Sequence, residues 1–223
     1  MSTTLGRRGA GERAARMSTT ARILRYELRD LARSRWLVGY LVFFLVFSEG
    51  LYRAEGSSLK VLLNLIDVVL LLIPLASAVF GTIYLYSARE FVELLLSQPV
   101  SRRQLFSGLY LGLALALSAA FVAGAAGPFL VHGMDAPGGW ATLLAICGAG
   151  VALTCIALAL AFLVALHFED RMKGLATAIL AWLTLAVVYD GAVLLAVNAF
   201  ANYPVERGLL AATLANPIDL ARI

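Results

Sequence analysis

Three acids stand inside otherwise apolar stretches of this chain: Glu49, Asp67 and Asp190. An aspartate at the centre of a membrane helix costs about 3 kcal/mol on insertion scales, so each of these groups calls for a reason. Glu49 lies near the end of its apolar run, where a carboxylate reaches interfacial water, and that reading is favoured for it. Asp67 lies further inside its run, with Asn64 one helical turn earlier on the same face. Asp190 is followed by Asn198 two turns later. Two readings fit Asn64, Asp67 and Asp190 equally: a polar path or gate for a substrate, or an interhelical hydrogen bond that fixes packing.

Other reactive residue types lack a chemical context. The chain has no H-E-x-x-H and no Cys-x-x-Cys, and Cys147 and Cys155 lie eight apart in one expected helix. Their separation is then about 12 Å along the axis, too far to bridge, and they read as small apolar packing residues rather than ligands. No serine has a G-x-S-x-G context, and no G-x-x-x-x-G-K-[ST] phosphate loop occurs. We therefore expect no catalytic residue, no metal site and no cofactor held by this chain.

The elements that must position these residues follow from composition. Of 223 residues, 61% are hydrophobic and 14% charged, and the mean hydropathy is +0.85. That excess over a soluble domain's composition predicts an integral membrane protein. A span of about 30 Å of hydrocarbon needs about 20 apolar residues. Five runs meet this, at 36–54, 60–86, 104–130, 140–166 and 174–200. The expected fold is an all-α polytopic bundle of five spans.

The first 19 residues read as a basic tail, in which MSTT at 1–4 recurs at Met17 and offers an alternative start. Residues 20–35 place Ile23, Leu24, Leu28 and Leu31 toward one side, as in an amphipathic helix on a membrane surface.

Charge sets the orientation. Residues 1–35, the 87–106 loop and the 167–174 loop hold fourteen of the eighteen Lys and Arg; Arg53, Lys60, Arg207 and Arg222 are the rest. The positive-inside rule puts the amino terminus in the cytoplasm, which accounts for the net charge of +4 without nucleic acid. His132, in the outer loop, and His167 then fall on opposite sides, which argues against a membrane-embedded enzyme. The tail 201–223 would face outward, and a sixth span is expected beyond Ile223 in a longer parent.

In the third run Gly108, Gly112, Ala116, Ala120 and Gly124 recur at every fourth position. Small residues so placed let another helix approach closely along one seam. An intrachain partner is favoured over a second copy.

Residues 87–106 read SAREFVELLLSQPVSRRQLF. Positive-inside topology explains Arg89, Arg102 and Arg103 but not the apolar Phe91, Val92, Leu94, Leu95 and Leu96, which are too few to cross a bilayer. A short amphipathic helix ending before Pro99, with Glu90 and Glu93 near its positive amino end, explains both. Such a helix can lie on lipid or dock into a groove of a cytoplasmic protein. Glu169-Asp170-Arg171 reads as a solvated turn, or else as a second docking contact.

The run Glu93-Leu94-Leu95-Leu96, then Gln98-Pro99-Val100 and Arg102-Arg103, resembles the cytoplasmic loop of ABC-2-type transporter permeases. The opening RILRYELRDLARSRW, the fifth-run VVYDGAVLL and the final NPIDLARI are similar to the NosY-like subgroup, associated with nitrous-oxide reductase maturation. The resemblance covers residues 20–223, and the absent sixth span departs from it. It implies a permease subunit in a bacterial or archaeal inner membrane, in most cases exporting. Glu90, Phe91, Glu93, Leu94, Leu95, Gln98, Pro99, Arg102 and Arg103 would couple to a separate cytoplasmic ATPase, which would hold the ATP. A second permease copy is an expected partner. The alternative is a membrane scaffold that passes ATPase motion to an extracytoplasmic protein in metalloenzyme maturation.

Overall fold

The structure, a computed structural model, describes residues 34–89, 92, 102–189, 191–193, 195, 216 and 218. The tail 1–19 and nearly all of the amphipathic segment 20–35 lie outside the described residues. Those described form α1 (Arg35–Glu55), α2 (Ser58–Ser87), α3 (Arg102–His132), α4 (Gly139–His167) and α5 (Arg171–Leu183), the last continuing as a π-helical turn, Thr184–Val188. No strand occurs among them. Five helices are long and apolar enough to cross a membrane, the fifth running to Val193. The chain is an all-α, multi-pass membrane protein.

Helix ends lie within a few residues of the apolar runs because charge and turn residues stop them. α1 closes on Gly56, whose N–H returns to the Tyr52 carbonyl at 3.2 Å, and only Ser57 then separates it from α2. α2, α3 and α4 have 30, 31 and 29 residues. At about 1.5 Å per residue each is roughly 45 Å long, so each tilts or projects beyond the hydrocarbon.

α2 is the hub. It packs most extensively against α4, then against α5 and α1, while α3 lies on α1 and α4 and barely touches α2. Phe44, Phe121 and Phe129 are fully buried between them. The rings of Phe44 and Phe121 meet edge to face at 5.1 Å, a favoured aromatic arrangement. Outward faces carry Leu63, Leu71, Leu144 and Leu163, all exposed as lipid-facing residues are.

Lipid is as apolar as leucine, so close backbone approach has to hold such helices together. All five residues of the small-residue stripe, Gly108, Gly112, Ala116, Ala120 and Gly124, are buried. A Cβ at Gly124 would lie 2.8 Å from both the Leu41 carbonyl oxygen and the Phe44 Cβ. One turn above, Ala120 and Ala116 border a groove shared with Leu37, Val38 and Leu41. The stripe's partner from Ala116 to Gly124 is α1 of the same chain. Ser48 of α1 then donates to the Ala125 carbonyl at 3.1 Å, a buried bond across the seam.

Candidate functional site

At the arginine-rich end, where α2 stops and α4 turns into α5, the chain builds a clamp. The last turn of α4 leaves carbonyls without intrahelical partners, and a cation is stabilising there. Arg89 supplies it. Its Nη2 donates to the Ala165 carbonyl at 2.9 Å and to the Phe168 carbonyl at 2.7 Å, and its Nη1 to the Glu169 carbonyl at 2.8 Å. The guanidinium lies 4.4 Å over the ring of Tyr86, within cation–π range. Tyr86 joins the grip from one turn earlier: its hydroxyl donates to the Phe168 carbonyl at 2.8 Å, with the Asp170 carbonyl at 3.2 Å.

The far side of the clamp is equally specific. Asp170 is the N-cap of α5, its Oδ1 accepting the Met172 N–H at 2.8 Å. Gly174 follows on the buried face, and a Cβ there would overlap the Tyr86 phenol. The Glu169-Asp170-Arg171 turn is thus held through its backbone rather than merely solvated. Sequence reasoning missed Tyr86 and Gly174 and took Arg89 for a topology determinant.

Beside the clamp lies a cleft of about 240 Å³, lined by Leu85, Arg89, Val92, Phe106, Ala165, Leu166 and Glu169. Val92 is buried in the core, and its N–H bonds the Ala88 carbonyl at 2.8 Å, continuing the helical direction of α2. Arg102 and Arg103 open α3 and are exposed. Glu90, Phe91, Glu93, Leu94, Leu95, Gln98 and Pro99 lie outside the described residues.

Of the polar seam expected within the spans, Asn64 and Asp67 are among the described residues. Asp67 is exposed and has no hydrogen bond or ion pair among the described residues. Leu65 and Val69 are buried two residues to either side, about 200° around the helix, so Asp67 faces out of the bundle. Asn64 is exposed too and donates to Glu55 at 3.2 Å. Asp190 lies outside the described residues.

The opposite end is tied by a second polar cluster. Glu49 does more than reach water. It accepts from Arg53 Nε at 2.9 Å, and its two oxygens lie 3.1 and 2.9 Å from His132 Nε2. His132 is the last residue of α3 rather than part of the loop, and its ring stacks on Tyr52 at 5.0 Å. Tyr52 donates to the Gly133 carbonyl at 2.6 Å and shares a 2.7 Å bond with Ser58. Asp135 accepts the Ser58 N–H at 3.1 Å at the amino end of α2, where an acid suits the helix dipole. These bonds hold the Asp135 carboxyl below the usual aspartate range, the Ser58 side chain contributing most.

Midway along the bundle, α5 shifts into its π turn, and Tyr189 N–H bonds the Thr184 carbonyl. A π turn displaces the regular ladder. Asn216, fully buried, donates to the Leu185 carbonyl at 2.9 Å and accepts the Ile218 N–H at 3.1 Å. Ile218 lines a small apolar cavity with Pro74, Ala78, Ala178 and Trp182, and Trp182 Nε1 donates to the Leu71 carbonyl at 3.1 Å. Of the tail from 201, expected to face outward, only Asn216 and Ile218 are among the described residues. Asn216 and Ile218 sit against mid-helix positions, because the π turn and the cavity offer an acceptor and an apolar seat there.

Cys147 is buried, Cys155 is partly so, and both are free. Among the described residues no three His, Cys, Asp or Glu side chains gather as a metal site would require. No family model matches the chain, and no curated protein matches it.

Proposed function

We propose that this chain is the membrane subunit of an ATP-driven transporter of the ABC-2 type. Its amino terminus would lie in the cytoplasm, and a separate ATPase would dock on the arginine-rich end. The clamp carries the reading. A subunit moved by a soluble motor needs its cytoplasmic connections to behave as one body, since a floppy loop would absorb the motion. Arg89 and Tyr86 join the start of the 87–106 connection to the α4–α5 turn through the backbone, so a push on either connection reaches α2, α4 and α5 together. The adjoining cleft has an apolar floor with Arg89 and Glu169 at its edge, which suits a helix of mixed character from a partner.

The test is co-purification of the detergent-solubilised chain with the ATPase encoded nearest to it. Association that is lost in Glu93→Arg/Leu95→Glu but kept in Arg89→Ala, with ATPase stimulation lost in Arg89→Ala, supports docking on the loop and transmission through the clamp. Normal association of the double variant, with membrane insertion intact, overturns the docking role.

Asp67 favours a second reading, because it turns away from the interior where a substrate path would run. In that reading the chain passes ATPase motion to an extracytoplasmic partner and moves no solute. Reconstituted vesicles separate the two: ATP-dependent solute flux supports the first, and ATP-dependent binding of an outer partner without flux supports the second.

A further inference from the structure

A larger cleft, of about 530 Å³, opens at the arginine-rich end between the start of α1, the end of α2 and the middle of α3. Its depth is apolar: Val79, Phe80, Ile83, Leu113 and Leu117. Its mouth is polar, with Ser34, Ser87 and Arg171. From Ser87 to Val79 the cleft follows α2 for about 12 Å at about 1.5 Å per residue, so it is a slot along the helices and not a surface dimple. Trp36 lies at the mouth and is 76% exposed, as an indole at the headgroup level of a bilayer would be.

We propose that this slot holds one acyl chain of an anionic glycerophospholipid, with its phosphate on Arg171. Arg171 is exposed and makes no hydrogen bond or ion pair among the described residues. Of its acidic neighbours, Asp170 caps α5, and Glu169 lines the separate cleft beside Arg89 and not this one. Arg35, next to Ser34, and Lys173 are also exposed at this end of the bundle, outside the cleft lining. A basic pocket between membrane helices is suited to an acidic lipid headgroup. A second copy of the chain suits it less, because an isologous contact would set these cations against their own images. The assignment stands independently of the transporter reading.

Native mass spectrometry of the full chain tests it, after titration with phosphatidylglycerol or, separately, phosphatidylcholine. One phosphatidylglycerol should be retained in preference to phosphatidylcholine. Arg171→Gln should weaken its retention about fivefold, the effect of one cation at a headgroup, while Arg171→Lys keeps most of it. Leu117→Trp, which fills the slot, should reduce retention of both lipids. A folded Arg171→Gln protein that keeps phosphatidylglycerol as the original does overturns the headgroup assignment. Ile83→Cys, in a chain carrying Cys147→Ala and Cys155→Ala, should be shielded from a maleimide when phosphatidylglycerol is added. Shielding that is unchanged by lipid, whether it comes from the chain's own segments or from a second copy, overturns the acyl-chain assignment.

Discussion

Arg89 and Tyr86 meet on one carbonyl: both donate to Phe168 O, at 2.7 and 2.8 Å, with the guanidinium stacked 4.4 Å over the ring. One acceptor with two lone pairs thereby fixes two donors, Tyr86 in the last turn of α2 and Arg89 just beyond it, against the C-cap of α4. The bond pattern separates a clamp from a topology signal, because a topology signal needs only charge.

Replacement of Arg89 by lysine is the sharpest check on that distinction. Lysine keeps the charge but loses the planar fork that reaches three carbonyls. Arg89→Lys should lower unfolding stability in detergent by about 1 kcal/mol, and Arg89→Ala by about 2 kcal/mol, with insertion unchanged. Equal stability of Arg89→Lys and the original chain would return Arg89 to a purely topological role.

Gly174 and Tyr86 should be coupled. Gly174→Ala puts a methyl into the phenol and should cost about 1–3 kcal/mol, and Tyr86→Phe alone about 1 kcal/mol for the lost hydrogen bond. Tyr86→Phe removes the nearest clashing atom, so the double variant should lose less than the two single losses combined. A thermodynamic cycle reads the difference.

At the α1–α3 seam, Gly124→Ala should destabilise by about 1–3 kcal/mol because two backbone atoms of α1 cannot withdraw. Gly127→Ala is the control. The nearest atom to its new methyl is Leu45 Cδ1 at 3.8 Å, an ordinary contact, and it should be neutral or slightly stabilising. Thermal unfolding of the two variants side by side decides.

Asp135 gives a pH dependence with a definite sign. Its folded pKa lies below its unfolded one, so its contribution is full above the unfolded value of about 4 and is lost as pH falls through the folded value. The stability gap between the chain and Asp135→Asn should be constant above about pH 5 and should close in more acidic solution. A gap that widens on acidification would contradict the Ser58 contact.

The spans were legible because 20 or more apolar residues bounded by charge have one solution in a bilayer. The seam was legible too, since glycine and alanine at every fourth position mark a helix face. What lay hidden was of two kinds. The partners of Arg89 are backbone carbonyls 76 to 80 residues away, and a carbonyl carries no residue type for a pattern to detect. The direction of Asp67 was hidden because α2 is apolar on nearly every side, so periodicity could not say which face turns inward. Likewise, the π turn of α5 and its buried Asn216 arise from the fit between segments, which no local run of residues encodes.

Ser48 waits for its acceptor. The Ala125 carbonyl lies 77 residues later in the chain, and the Gly133 carbonyl that receives Tyr52 comes 81 residues after it. Of the described helices α1 leaves the ribosome first, yet its principal neighbour among them is α3, and the hairpin with α2 gives it only a minor contact in the interval. During synthesis Ser48 and Phe44 should therefore lack these partners until α3 arrives. A nascent chain arrested before α3 should be an early target of membrane quality control, and one arrested after it should be spared.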